Sequence, residues 1–568
     1  MIHNILPVFS WEHAGDSTLI LYGAAPLLVA VLVLILLHAR LPSLRRAEHE
    51  LSRRRVVLAI GVISALTFAY EWGTLRKLPL VHDEAAYLLQ ARLFAAGKWS
   101  DSTPIPEFFE QPHVLVTPRY AAKYPPGNSL VLAPGIWLDR PGLMPVIILG
   151  ISGALIFALG RRVVNAWVGV IAWMVWIGFV PLSVAFRPSY FAEVLTETLW
   201  LVAWWALLQW REDRGVGHLL LVAACIGWMA ITRPLTAVAF AIPVGVVVVM
   251  LTWRRGAWAQ LAMAFGVGVA ILAILPLWSA RTTGDWRVTP LMLYTDQYMP
   301  YDVPGFGLRE RPALREPSPE IACFADMYGN AHRWHVPSAI PASFFASSRA
   351  AIDAFFTYRT RGLLLFALVG VLASPVELGL MLATCTLLLL AYTTYAHSAG
   401  WTVYYLETQP VCALLAAAGV WVVVAAIGRR WGRVPSDDET RTPGPHLAGW
   451  CFLVLAVLWM WPTLDGVNRI RRGKSYGDLP HYEFRQAVDS LPGTRKIVFV
   501  RYAPGEGCQQ NLIENDPPLA TAQTWIVNDR GADDVRLLRA APDRVPYLFD
   551  AKQRTMQPLP VATARDPR

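Results

Sequence analysis

The sequence predicts an all-α polytopic membrane protein of about twelve transmembrane helices, closed by a small extracytoplasmic C-terminal α/β domain. Three observations lead there. First, the 568-residue chain is 55% hydrophobic and 16% charged, whereas soluble domains carry about a quarter charged residues. Second, its arginines cluster at alternate ends of long apolar runs. Third, the last hundred or so residues change character and read as strands and a short helix.

A bilayer core requires about 20 apolar residues per helix. The spans expected on that basis are 18–38, 56–72, 143–160, 164–182, 190–210, 218–231, 235–252, 258–278, 362–373, 376–395, 404–427 and 448–463. The 24 tryptophans fit such a chain, because indoles favour the membrane–water boundary. The stretch before the first span, 1–16, lacks Lys and Arg. A cleavable signal is therefore not expected, and the first span would direct insertion.

Orientation follows from the basic residues. The link after the first span carries Arg40, Arg45, Arg46, Arg53, Arg54 and Arg55, which places it in the cytoplasm. Alternation then puts Arg161–Arg162, Arg211 with Arg214, Arg254–Arg255, and Arg429, Arg430 and Arg433 on the same side. The net charge of +9 is thus read as orienting charge with some attraction to anionic membrane lipid, and nucleic acid is not an expected partner. Long segments 73–142 and 279–361 and the tail 464–568 fall on the outer side. The expected organisation is an N-terminal helix and basic link (1–55), a membrane catalytic domain (56–463) and the α/β tail (464–568). In the tail, "RKIVFVRY" and "QTWIVND" read as buried strands and "GADDVRLLRAA" as a short helix. The tail has no Gly-rich phosphate loop, so nucleotide binding is not expected. Of six Cys, Cys225, Cys385, Cys412 and Cys451 sit in apolar runs as packing residues. Cys323 and Cys508 lie in polar regions, and the sequence leaves open whether they pair in an oxidising compartment.

The candidate chemistry gathers on the outer side. "HDEAAYLLQARLFAAGKW" opens with His82, Asp83 and Glu84 directly after a span. Neighbouring residues point in different directions on a helix or a strand. One acid would therefore serve as a base while the other holds the loop or substrate; the plain alternative is a solvated helix start. "RYAAKYPPG" places Arg119, Lys123 and Tyr124 before Pro125–Pro126, whose fixed backbone would present a cation to a phosphate. In "FAEVLTETLW", Glu193 and Glu197 lie one helical turn apart. Acids at the membrane end of a span face a cavity or a partner. "ITRPLT" puts Arg233 at another outer boundary, answering one of those acids or a phosphate. "HSAGWTVYYLETQP" brings Tyr405 and Glu407 to the start of a late span, and "YTDQYMPYDVPGFG" is an aromatic and acidic segment able to hold sugar rings.

Taken together, these segments resemble the GT-C glycosyltransferases, among them the protein O-mannosyltransferases and the lipid A aminoarabinose transferases. The resemblance rests on the acidic pair in the first outer loop, the cation before Pro-Pro in "KYPPGNSLVLAP", the acid of "LTETLW", the "TRP" boundary and "VYYLETQPVCALLAA". It covers about residues 56–430. It implies a polyprenyl-phosphate-linked sugar as donor, an extracytoplasmic lipid, glycan or protein as acceptor, and a site on the outer face of a plasma membrane, as in a bacterial inner membrane. It implies Asp83 as base with Glu84 beside it, and Lys123 on the donor phosphate with Arg119 and Arg233 as further cations. His82, Tyr124, Glu193, Glu197, Tyr405 and Glu407 would contact substrate. Two departures stand out: Tyr124 separates Lys123 from the prolines, and Thr402–Val403 precede Tyr404–Tyr405 where relatives carry Arg. Arg359 or Arg361 would supply the missing phosphate contact.

The chemistry is self-consistent. A sugar phosphate leaves readily, so the main demand is to stabilise charge growing on phosphate. A carboxylate takes the acceptor proton, positive charge builds on the ring, and direct displacement inverts the anomeric centre. No cofactor is required; Asp83, Glu197 and His82 leave a divalent metal open. The rival readings are a polyprenyl-linked glycan ligase, which would rely on arginine-rich outer loops, and a lipid-linked sugar flippase, which would show inverted repeats and mid-membrane charges.

Overall fold

The structure is a computed structural model that describes residues 54–71, 79, 81–177, 189–308, 311–356, 362–373, 375–431, 480–503 and 511–559. The expected first and last spans, Arg187, Arg359, Arg361, Cys451 and Cys508 lie outside the described residues.

The membrane region begins with α1 (Arg54–Glu71). After the outer segment it continues as α4 (Leu143–Val163), α5 (Ala166–Ile177), α6 (Ala192–Asp213), α7 (Val216–Ala230), α8 (Pro234–Arg255), α9 (Trp258–Leu272) and α10 (Ile274–Thr283). Among the described residues, four helical stretches are long and apolar enough to cross a membrane: Leu143–Val163, Pro234–Arg255, Trp258–Thr283 and Thr402–Val423. Two more helices, α14 (Gly362–Ala373) and α15 (Val376–Tyr392), meet the same test only as one bent pair, where the sequence reading counts two spans. α16 (Gln409–Trp431) follows a 3-10 turn, Thr402–Thr408. Close helix approach in such a bundle depends on small residues. A Cβ added at Gly419 of α16 would fall 1.8 Å from the Phe366 carbonyl oxygen of α14, so this contact admits only glycine.

The bundle has two chemically different ends. At one, Arg162 pairs with Glu212 at 2.7 Å, Arg211 with Glu377 at 2.8 Å, and Arg255 donates to the Arg211 carbonyl at 2.8 Å. These arginines cap the C-terminal ends of helices, where cations are favoured. They are members of the set that the sequence puts together in the cytoplasm. Glu193 begins α6 at its other end.

That other end carries the loops. α2 (His82–Ala95) and α3 (Gly127–Trp137) flank a two-stranded hairpin, β1 (Val114–Leu115) with β2 (Ala121–Ala122). The second outer segment supplies α11 (Pro290–Tyr298), α12 (Pro319–Trp334) and α13 (Ile340–Phe355). Cys323 on α12 is disulfide-bonded, while Cys225, Cys385 and Cys412 are free.

The tail folds as the sequence suggests, with additions. Its expected strands are β3 (Lys496–Arg501) and β4 (Thr524–Asn528), and the expected helix is α18 (Asp534–Ala540). The sequence reading missed α17 (Pro480–Ser490), β5 (Val545–Asp550) and β6 (Thr555–Pro558). The sheet order is β4-β3-β5-β6, parallel except for the last pair. Side chains alternate across a strand. Ile497, Phe499, Trp525 and Val527 pack on Phe108 and Phe109 of the first outer segment, and Val498, Val500 and Ile526 pack under Phe484 and Val488 of α17. The module is therefore docked on the loop that carries Asp83. Asn528 donates to the Glu110 carbonyl at 2.8 Å, the Leu519 N–H donates to Asp101 at 2.8 Å, and Arg92 pairs with Asp516 at 2.7 Å.

Candidate active site

Asp83 and Glu84 occupy the first turn of α2, where the helix dipole favours acids. Consecutive helical residues point about 100° apart, and the two carboxylates separate accordingly. Glu84 is fully buried and accepts the Tyr190 N–H at 3.0 Å, tying α2 to the approach of α6. The Asp83 carboxylate is 38% exposed. It accepts the Tyr124 hydroxyl at 2.5 Å on Oδ1, and its Oδ2 lies 3.7 Å from Nε2 of His113. Burial first, and then Asp83, push the Tyr124 phenol well above its ordinary range, so it stays protonated and donates.

Lys123 follows β2 and is buried. Its ammonium lies 4.9 Å from the Tyr294 ring centre and 5.3 Å from that of Tyr124, and among the described residues it forms no ion pair. Burial lowers its pKa below the ordinary 10.5, while the charges of Asp302 and Asp83 act in the opposite direction. A buried cation resting on aromatic faces, with no anion of its own, is prepared to receive one. The backbone after it is fixed. Gly127 donates to the Ile231 carbonyl at 2.8 Å, and a Cβ there would meet Thr232 Oγ1 at 2.2 Å. The Lys-Tyr-Pro-Pro segment is thereby locked against the "ITRP" turn, a contact that only glycine allows.

That turn carries Arg233. Its guanidinium pairs with Glu407 at 2.7 Å and Glu193 at 3.3 Å and donates to the Tyr392 hydroxyl. Thr196 donates to Glu407 at 2.6 Å. All of these side chains are buried. Arg233 thus answers acids from two other elements, one of the two roles left open by the sequence. Tyr87 links the clusters: it stacks on Tyr124 at 4.8 Å, and after burial the charges of Glu193 and Asp83 are what raise its pKa most.

The remaining predicted residues scatter. Glu197, one turn below Glu193, accepts the Trp176 indole N–H at 2.9 Å, facing α5 while Glu193 faces Arg233. His82 is buried, 3.5 Å from Glu320 on α12 and edge-on to Phe324. Tyr405 is buried with its hydroxyl 2.6 Å from Nε2 of His397. Arg119 is exposed on the link between β1 and β2. Arg359 and Arg361 lie outside the described residues. Among the described residues no group of three His, Cys, Asp or Glu side chains gathers where it could hold a metal, and His82 and Glu197 turn to different partners. Asp302, from the aromatic segment flagged in the sequence, lies 3.2 Å from His332, while Tyr294 of the same segment reaches Lys123. The residue that sequence reasoning missed is His113. It lies in the same loop as Asp83 and Lys123, but no motif surrounds it.

No family model matches the chain, and no curated protein sequence matches it. Solved structures do. The ArnT of Cupriavidus metallidurans bound to undecaprenyl phosphate superposes with a TM-score of 0.50 at 16% identity, covering 88% of this chain and 91% of that one. The chain has the GT-C fold. The apo form of the same ArnT gives a TM-score of 0.49 at 14% identity, with 87% and 92% coverage. The Archaeoglobus fulgidus oligosaccharyltransferase in complex with Zn and sulfate gives 0.42 at 12% identity, with 86% and 67% coverage.

Proposed function

We propose that this GT-C chain is an integral membrane glycosyltransferase. It moves a sugar from a polyprenyl-phosphate donor to an extracytoplasmic acceptor hydroxyl on lipid, glycan or protein, with inversion. One observation carries this reading: Lys123, a buried ammonium without an ion pair among the described residues, and Asp83, a partly exposed carboxylate, flank the same tyrosine, Tyr124. That pairs a phosphate holder with a base over a short distance. The ArnT that binds undecaprenyl phosphate supports the donor class through the shared fold alone.

In this mechanism Lys123 neutralises the donor phosphate, and its affinity grows as charge develops on the leaving oxygen. The partly exposed Asp83 carboxylate takes the acceptor proton as the hydroxyl attacks C1. Tyr124 holds the other oxygen of Asp83 and so orients it. Glu84 fixes the helix start. The Glu193–Arg233–Glu407 network holds α6, α8 and the turn before α16 in register behind the site, and Arg359 or Arg361 adds a second phosphate contact. The mechanism requires no cofactor and leaves a divalent metal open; loss of transfer on chelation would show that one takes part. The chain crosses the membrane about twelve times, with the site on the outer face of a bacterial inner membrane.

The test is a transfer assay with a panel of labelled polyprenyl-phosphate pentoses, hexoses and aminosugars. Wild type is expected to transfer at least one of them, and Asp83→Asn to lose about 10²- to 10⁴-fold in rate. Wild-type rates in the variant overturn the assignment of the base. Cysteines placed at Ser100 and Ser490 are expected to react with impermeant reagents from outside; cytoplasmic labelling at either overturns the topology.

A further inference from the structure

We infer that His113 is a positioning residue for the base, a neutral imidazole whose Nε2–H closes on Asp83 Oδ2 and, with Tyr124 on Oδ1, clamps the carboxylate between two donors. The inference rests on the glycosyltransferase reading and adds to it a residue from outside the motifs.

Four observations support it. His113 is fully buried, and among the described residues neither of its ring nitrogens has a hydrogen-bond partner. Buried polar atoms are nearly always satisfied, and one left open marks a partner that arrives in another state. Its Nε2 is 3.7 Å from Asp83 Oδ2, just beyond hydrogen-bond reach; such contacts tighten when substrate binds. Its backbone sits at φ 68°, in the left-handed region that non-glycine residues rarely adopt. That conformation is held from both sides: the His113 N–H donates to the Tyr294 hydroxyl at 3.1 Å, and its carbonyl accepts the Lys123 N–H at 2.9 Å. Backbone strain of this kind persists where the surroundings over-determine it, and it concentrates at functional sites. Finally, the ring is boxed by Tyr124 at 5.5 Å, Phe324 at 5.4 Å, Tyr294 at 6.3 Å and His82 at 6.5 Å. The titratable groups facing it are Asp83, His82, Lys123, Tyr124 and Tyr294. Burial, and then the charge of Lys123, depress its pKa well below 6.5. The ring is therefore neutral at neutral pH, with one N–H to give.

Because the same residue joins β1 to the strand that presents Lys123, His113 couples the phosphate holder to the base. Two hydrogen bonds to a carboxylate stabilise its charged form and fix the lone pair that faces the acceptor.

The test compares His113→Asn with His113→Gln in the full-length, detergent-solubilised enzyme, assayed with the polyprenyl-phosphate sugar that wild type uses. Asn tolerates the left-handed backbone but is too short to reach Asp83; Gln places an amide N–H near the position of Nε2. The expected result for Asn is a fall in kcat of about 10- to 100-fold, the range for a hydrogen bond to a charged group. Donor KM stays within about 2-fold, and the acid limb of the pH–rate profile moves to higher pH, because the base has lost a donor that favours its charged form. Gln is expected to recover most of the rate and the wild-type limb. If Asn matches wild type in kcat and profile while Asp83→Asn is inactive, His113 does not position the base and the glycosyltransferase reading stands. If Asp83→Asn is also fully active, the assignment of Asp83 as base fails and the role of His113 falls with it; if wild type transfers none of the donors, the glycosyltransferase reading fails instead. A fall in kcat in both His113 variants with an unmoved acid limb assigns His113 a packing role and overturns the inference.

Discussion

Two charged clusters sit side by side at one end of the bundle, and they are built on opposite principles. Around Arg233 the charges are paired: two carboxylates and a tyrosine converge on one guanidinium inside the protein, and Thr196 donates to one of those carboxylates, Glu407. Around Lys123 and Asp83 the charges are left open. Among the described residues the ammonium rests on ring faces without an ion pair, and the carboxylate meets a phenol, solvent and, at 3.7 Å, the His113 ring. A network of paired charges mainly holds elements in register, because removing one member leaves the others buried and uncompensated. An unsaturated one carries a standing cost that a ligand relieves. The contrast separates residues that hold the site from residues that act in it, although the sequence presents all of them as charges at membrane boundaries.

Substitutions test that division. The largest expected effect is on catalysis: Asp83→Asn removes about 10²- to 10⁴-fold of transfer while the melting temperature stays near wild type, as checked by thermal unfolding in detergent. Arg233→Met is expected to do the reverse. Opening a buried pair costs about 3–5 kcal/mol, so yield and melting temperature fall sharply. A stable but inactive Arg233→Met would merge the two clusters and return Arg233 to the phosphate. Lys123→Met is expected to cost about 10²- to 10³-fold in transfer, the range for one electrostatic stabiliser, with no loss of stability, since the buried charge costs desolvation. The same argument gives a pH dependence. Burial lowers the Lys123 pKa, so its charge is lost as pH rises through a value below 10.5, and donor KM is expected to climb on that alkaline limb. Folding stability moves the other way there: the unfolded chain binds the proton more tightly, so this group's contribution rises with pH across the same window. The smallest effect belongs to Arg119→Ala, within about 2-fold, because an exposed cation contributes little. A large loss there would extend the phosphate site to the hairpin tip.

The tail offers a second contrast. Its β3 and β4 were legible because buried strands read as short apolar runs. "VPYLFD" and "TMQP" were not, since Pro and polar residues interrupt them and only pairing with a neighbour makes them strands. Nor does the tail's sequence reveal that one sheet face lies on Phe108 and Phe109 of the loop that carries Asp83. That docking depends on two surfaces some four hundred residues apart.

Periodicity, apolar run length and arginine alternation sufficed for a helical membrane protein, its two-sided charge pattern and the α/β tail, because each is a local property of the chain. The same local chemistry singled out Asp83, Lys123, Glu193, Arg233 and Glu407. It could not say which of these charges would meet. Glu193 and Glu197 share a helix face in sequence, yet one finds Arg233 at the start of α8 and the other Trp176 on α5. Asp83 and Glu84 are neighbours, yet one faces solvent and the other anchors Tyr190. His113 carries no motif, and only the hairpin that sets it beside Asp83 makes it chemically relevant. Identity and local pattern are written along the chain; partnership depends on the packing of elements distant in sequence, and in a low-dielectric interior that packing decides whether a charge is a strut or a tool.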